Sequence, residues 1–223
     1  MLMVPMLRAL AYMVFACLAL LSVSCDTAER SPNADEKSST PEAPHSSAPA
    51  AAPEDPDVVL VDLDDADEVA TWTTVNDPVM GGRSTSRVTF GDDGLAFSGN
   101  ISLQNKGGFA SARSPQDLDI GRRATGAKSL RVRAMGDGKT YLLKVGIAGQ
   151  PWSYIQRFST EAAVQRTYEL PIEGFQPVGM RLDPEPNAPE NLDPSSINEV
   201  SFYILDKQQG PFELAVSAIE ATA

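Results

Sequence analysis

Residues 129–148 read Ser-Leu-Arg-Val-Arg-Ala-Met-Gly-Asp-Gly-Lys-Thr-Tyr-Leu-Leu-Lys-Val-Gly-Ile-Ala. Leu130, Val132 and Ala134 alternate with Arg131 and Arg133, and beyond the glycines Tyr141, Leu143, Val145 and Ile147 alternate with Leu142, Lys144 and Gly146. A period of two sorts these side chains onto the two faces of extended backbone, so each half reads as a strand with an apolar side. The connection Gly136-Asp137-Gly138-Lys139 supplies glycines for the positive φ of a tight turn, and the two strands are expected to pair as a β-hairpin.

The same texture extends to both sides. Runs rich in β-branched and aromatic residues recur at 58–63, 84–90, 95–103, 109–114, 153–159, 165–170, 197–205 and 212–221, punctuated by Gly, Pro, Asn and Asp. No 3.6-residue period persists for three turns. With 129–134 and 140–148 these make ten short strands joined by short turns, which predicts an all-β sandwich or barrel. Residues 187–196 predict a long loop with one helical turn, and no internal repeat is visible.

Composition removes several functions. The formal net charge of −12 opposes nucleic-acid binding, which rests on Lys and Arg neutralising phosphates, and the pair Arg122-Arg123 is too short to be a basic footprint and reads as a solvated loop. His45 is the one histidine, and Cys17 and Cys25 both precede the strands, so residues 57–223 hold no imidazole or thiol for a triad, a nucleophile or a zinc site. Gly138-Lys139-Thr140 ends like a phosphate loop, but Arg133 stands where its first Gly belongs and no helix follows. Asp62, Asp64, Asp65, Asp67 and Glu68 read as an acidic turn rather than a calcium loop, because Asp67 occupies the position that an EF-hand gives to Gly. Asp92-Asp93, and Asp117 with Asp119, read as turn and loop chemistry, and Ser84 and Ser111 lack a base. No catalysis, cofactor or metal is expected.

Two segments are candidates for binding. In Trp72-Thr73-Thr74-Val75-Asn76-Asp77-Pro78-Val79-Met80-Gly81-Gly82-Arg83-Ser84, turn formers surround the apolar pair Val79-Met80, with two glycines behind it. Asn76, Asp77, Val79, Met80, Gly81 and Gly82 are therefore the candidate partner-contact residues, with Trp72 packing behind them. Pro151-Trp152-Ser153-Tyr154 offers a stacking platform for a glycan through Trp152 and Tyr154.

The first of these segments resembles the signature of the complex I intermediate-associated protein 30 family, whose domain opens with a Trp and an Asn-Asp-x-Val-Met-Gly-Gly-x-Ser loop. Here these are Trp72 and residues 76–84. The resemblance continues through Phe97-Ser98-Gly99-Asn100, Gly107-Gly108-Phe109-Ala110-Ser111, Arg131-Val132-Arg133, Gly136 to Tyr141, Leu170-Pro171 and Gly210-Pro211-Phe212-Glu213-Leu214. Pro78 stands where Gly is usual, and Tyr168 where Trp is common. The resemblance implies a jelly-roll β-sandwich of the galactose-binding-like kind. It also implies a non-catalytic role in respiratory complex I assembly, exerted on a protein partner such as a membrane complex subunit. A carbohydrate-binding module is the alternative, with a glycan as ligand.

The N-terminus sets where such a domain would work. Residues 1–24 carry one cation, Arg8, and the apolar run Ala9 to Leu21, too short for the roughly 30 Å hydrocarbon core and so read as a signal peptide. It ends in Leu21-Ser22-Val23-Ser24-Cys25, which resembles a bacterial lipobox and makes Cys25 the expected lipidation site. Asp26 resembles an inner-membrane retention signal. Residues 25–56 read as a disordered Pro/Ala/Ser-rich tether, spanning on the order of 30 Å as a coil. The expectation is a membrane-anchored, extracytoplasmic lipoprotein with a single domain at 57–223. Cys25→Ser is expected to move the protein from the membrane to the soluble extracytoplasmic fraction, and membrane association that survives both the substitution and a salt wash would contradict it.

Overall fold

The computed structural model describes residues 57–77 and 81–223. The expected signal peptide, Cys25 and the tether lie outside these residues, as do Val79 and Met80. In chain order the strands are β1 (Val58–Asp62), β2 (Thr73–Asn76), β3 (Thr85–Gly91), β4 (Gly94–Ile101), β5 (Ala110–Arg113), β6 (Ser129–Met135), β7 (Thr140–Ile147), β8 (Ser153–Ser159), β9 (Gln165–Pro171), β10 (Gln176–Val178), β11 (Ile197–Ile204) and β12 (Gly210–Thr222). Two short helices, α1 (Ala66–Ala70) and α2 (Leu118–Arg123), interrupt them.

The strands form two sheets. The first runs β3-β4-β12-β6-β9, with β1 also on β12, and the second runs β10-β8-β7-β11-β5-β2. The ladders between these strands are antiparallel. Facing each other, they make the all-β jelly-roll sandwich that the strand pattern and the family resemblance imply. Alternation supplies the core: Leu130, Val132 and Ala134 from β6 meet Tyr141, Leu143 and Val145 from β7 and Val200, Phe202 and Ile204 from β11, all without solvent exposure. In β12 a bulge between Val216 and Ala218 resets the parity, so that Leu214 and Val216 and then Ile219 all point into the core. It also frees the Ser217 carbonyl to accept the Leu63 N–H at 2.9 Å.

Trp72 belongs to this core. It stacks on Phe202 with ring centroids 5.8 Å apart, and its indole N–H donates to Glu68 Oε1 at 3.2 Å.

The expected hairpin of residues 129–148 does not form. β6 pairs with β9 and β12 in the first sheet, whereas β7 pairs with β8 and β11 in the second. Residues 136–139 cross from one sheet to the other, and the two apolar faces meet across the core instead of lying side by side. Period-two alternation is the same in both arrangements. Leu142 is buried as well, on the far side of β7, so this strand is covered on both faces.

Smaller departures have local causes. Asp117 and Asp119, expected in a loop, sit at the start of α2, where Asp117 is the N-cap and accepts the Asp119 N–H at 2.8 Å. Arg122 and Arg123 close that helix instead of lying in a loop, and Arg123 donates to the Leu60 carbonyl at 2.6 Å. In the acidic segment Asp62 Oδ1 accepts the Asp64 N–H, and Asp65 caps α1, so its carboxylates serve as local turn and cap acceptors. β2 and β10 are edge strands of three or four residues, too short to show a period, and β10 contains Pro177.

Candidate functional site

Asp77 follows β2 at one end of the sandwich and is 1% exposed. Its Oδ1 accepts the Ser84 N–H at 2.7 Å. Its Oδ2 accepts the Gly108 N–H at 2.6 Å, the Phe109 N–H at 3.3 Å and the Ser84 hydroxyl. The Ser84 hydroxyl in turn accepts the Ser102 N–H at 3.0 Å. One carboxylate thus ties the segment entering β3 to the segment between β4 and β5. Glycine is required at two places around it. A Cβ on Gly107 would lie 2.6 Å from Asp77 Oδ2, and one on Gly82 would collide with the carboxyl carbon. Burial works against the charged form of Asp77, but the Ser84 hydroxyl and the N–H groups of Gly108, Ser84 and Phe109 outweigh it, leaving the pKa below the ordinary carboxylate value.

A second carboxylate does the same for the crossover. Asp137 Oδ1 accepts the Lys139 N–H at 3.1 Å and the Tyr141 hydroxyl at 3.0 Å, while Oδ2 accepts the Lys139 ammonium at 2.9 Å and the Glu213 N–H at 3.2 Å. Several of the blocks that carried the family resemblance therefore meet at these two carboxylates: Gly82, Ser84 and residues 107–109 gather at Asp77, and Lys139, Tyr141 and Glu213 at Asp137. Burial disfavours the charged form of Asp137 too, and the Lys139 ammonium, the Glu213 and Lys139 N–H groups and the Tyr141 hydroxyl overcome it. Burial, and then the neighbouring carboxylate, push the Tyr141 hydroxyl well above its usual range.

The candidate contact residues separate into different roles. Asp77 is not a contact residue: its side chain is buried and both oxygens are engaged internally, so it positions the loop. Asn76 is half-buried and its amide hydrogen-bonds the Ser86 hydroxyl. Gly81 is exposed at φ +88°, its carbonyl accepting the Asn105 amide at 3.1 Å. The Gly82 N–H donates to the Asp77 carbonyl at 3.0 Å, which brings the two ends of the loop together. The glycan platform is not built as expected. Tyr154 is 2% exposed, because β8 turns it into the core, and its hydroxyl donates to the Pro189 carbonyl at 2.8 Å; Trp152 is half-buried against the same core.

A cleft that the residue pattern did not single out lies on the outer face of the second sheet. Across β2, β5, β11, β7 and β8, Val75, Ser111, Tyr203, Leu142 and Arg157 stand in one row. Leu142, Ile155, Val178 and Tyr203 form a separate buried cluster there, flanked by Phe109, Leu182 and Leu205. Beside it opens a cavity of about 570 Å³ between Val75 and Phe109 on one side and Met180 to Leu182 on the other. Met180 is 94% exposed at its edge. The signal was present in β7 and β11, where Leu142 and Tyr203 put apolar groups on the face opposite the core.

Comparisons with known proteins agree with this architecture. The family model described as complex I intermediate-associated protein 30 (CIA30) matches residues 61–216. Among solved structures the chain is similar to the family 11 carbohydrate-binding module of the cellulosomal cellulase Lic26A-Cel5E of Clostridium thermocellum. The identity is 13%, the TM-score 0.52, and the match covers 75% of this chain and 95% of that one. It is similar also to the agarase AgWH50C, at 12% identity and TM-score 0.50, over 75% of this chain and 24% of the agarase. At such identities the likeness is one of fold. No curated protein matches the chain in sequence. The family domain and the carbohydrate-binding module are non-catalytic domain types.

Asp77→Ala leaves four donors without their acceptor and is expected to cost about 3 kcal/mol or more, whereas Ser84→Ala, which keeps the amides on the carboxylate, should cost about 1–2 kcal/mol. Folding lowers the Asp77 pKa, so its contribution is complete above the unfolded value of about 3.9 and is lost as pH falls through the lower folded value. In urea unfolding, the gap between wild type and Asp77→Ala should therefore narrow only below about pH 4. A gap that stays constant down to about pH 2 would contradict an ionised Asp77.

Proposed function

The chain belongs to the complex I intermediate-associated protein 30 (CIA30) family, and from that premise we propose that it is a non-catalytic binding and assembly domain. Its partner is a protein, a subunit or intermediate of a membrane complex such as respiratory complex I. It acts outside the cytoplasm, held by a lipid on Cys25 and raised from the bilayer by residues 26–56, with Asp26 favouring the inner membrane.

The observation that supports this site most is the burial of Asp77. A buried carboxylate with four donors is an expensive way to hold a surface turn, and it makes sense where the turn must present its residues in a set position. Here it fixes the two ends of the segment that carries Val79 and Met80. Binding surfaces on β-sandwiches commonly lie on end loops supported in this way. A polarisable, unbranched side chain such as Met80 suits a protein surface, because it adapts to an irregular partner.

Met80→Asp is expected to leave the melting temperature nearly unchanged and to weaken capture of complex I intermediates from solubilised membranes at least tenfold, about 1.4 kcal/mol. Trp72→Ala, which removes a buried ring, should instead destabilise the fold by about 3–5 kcal/mol. Met80→Asp protein that is unfolded, or that captures the intermediates as well as wild type, would show that the loop is not the contact. A glycan-array signal with no membrane-protein capture would favour the carbohydrate-binding alternative.

A further inference from the structure

The outer face of the second sheet is apolar on its floor and cationic above it. The floor is the cluster of Leu142, Ile155, Val178 and Tyr203, and the cavity beside it, about 570 Å³, has aliphatic walls at Val75, Leu182 and Leu205. That volume lies within the span of small-molecule sites, roughly 300–1,000 Å³.

The charged groups facing this cavity are unequal. Arg157 is already bidentate on Asp206, at 2.8 and 3.1 Å. Arg113 is not committed in this way. Its guanidinium lies 5.5 Å from the centre of the Tyr203 ring and its Nε donates to the Ser111 hydroxyl at 3.2 Å, which leaves both terminal amino groups without a partner among the described residues. In the next row of the sheet Arg113, Ser201 and Lys144 stand side by side on β5, β11 and β7. Two strands apart, Arg113 and Lys144 have backbones about 10 Å from each other, a gap that their side chains can close around one anionic group. Lys144 forms no ion pair among the described residues. Burial, and then the neighbouring Arg113 guanidinium, lower its pKa against the opposing influence of Glu199, which accepts the Ser201 hydroxyl at 3.2 Å. Arg181 adds an exposed cation at the rim. In a chain of net charge −12, these cations collect beside an apolar cleft on the sheet's outer face.

We propose that this cleft binds a fatty-acyl carboxylate, its chain lying over Tyr203 between Phe109 and Leu182 and its carboxylate held by the terminal amino groups of Arg113, with Lys144 beside it. The carboxylate supplies the planar acceptor that a guanidinium binds in a fork, and the chain covers aliphatic wall that would otherwise face water. A sugar fits less well. It would need an open aromatic face for stacking, and the Arg113 guanidinium already lies over the Tyr203 ring. The proposal uses none of residues 76–84, so it stands or falls independently of the protein-partner reading.

The test is an NMR titration of the full chain with decanoate, kept below its micellar concentration, and with uncharged decanamide. Decanoate should shift the amide signals of Phe109, Arg113, Tyr203 and Leu205, and should bind about tenfold more tightly than decanamide. Arg113→Gln should erase that preference while decanamide binding and the melting temperature stay as in wild type. If Arg113→Gln does not fold, Lys144→Gln provides the same reading as a preference that shrinks by a factor of a few. Equal affinity for the two probes, shifts confined to another surface, or a response to a mixed-linkage β-glucan tetrasaccharide in place of decanoate would overturn the proposal.

Discussion

One buried carboxylate decides how this end of the molecule is built. Removing a charge from water costs several kcal/mol unless polar groups replace the lost hydration, and Asp77 obtains that replacement from Ser84, Gly108 and Phe109. The donors come from two stretches of chain, so the charge is satisfied only when Ser84 and residues 108–109 are both in place. This explains residue choices that would otherwise look unrelated. Gly82 and Gly107 are small because the carboxyl group fills the space of their side chains, and Ser84 is a hydroxyl because it both donates to Asp77 and accepts from Ser102. Asn at position 77 would keep the shape but lose one acceptor oxygen and the charge.

The two surfaces to which function is assigned are joined through this constraint. Phe109 donates its N–H to Asp77 and lends its ring to the wall of the outer cleft, and Val75, two residues before Asp77, lines the same cleft. The edge of the second sheet is thus held in register by the group that anchors the loop. Asp137 plays the corresponding part where the chain passes between sheets, fastening residues 137–141 to the start of β12. Both carboxylates have folded pKa values below the ordinary range, which makes them contributors to stability at neutral pH that acid removes.

Much of the fold was readable in the chain, and what was not has identifiable causes. Ten of the strands follow from runs of β-branched and aromatic residues between turn formers, the clearest of them alternating with a period of two; Trp72 is buried in the core. Which sheet each strand joins was not readable at β6 and β7. Alternation records only that Val132 and Leu143 face a core, and Gly136 and Gly138 serve a crossover as well as a hairpin turn. Buried Leu142, on the wrong face for a one-sided strand, was the available clue. Helices α1 and α2 are too short to show a period and are set by the caps Asp65 and Asp117. The role of Asp77 was not readable: between turn formers it looks like a surface residue, and only the folded chain brings Gly108 and Phe109, 31 and 32 residues away, onto its oxygens. The cleft escaped because its lining is drawn from separate strands, and no single run of sequence contains it.

The most direct measurement of this constraint is the titration of the Asp77 carboxyl carbon by NMR, followed together with the amide protons of Ser84 and Gly108. A midpoint below the ordinary value of about 3.9, shared by the carboxyl and both amides, is the expected result. A midpoint at or above that value, or amide signals that do not follow the carboxyl group, would contradict the role given to Asp77.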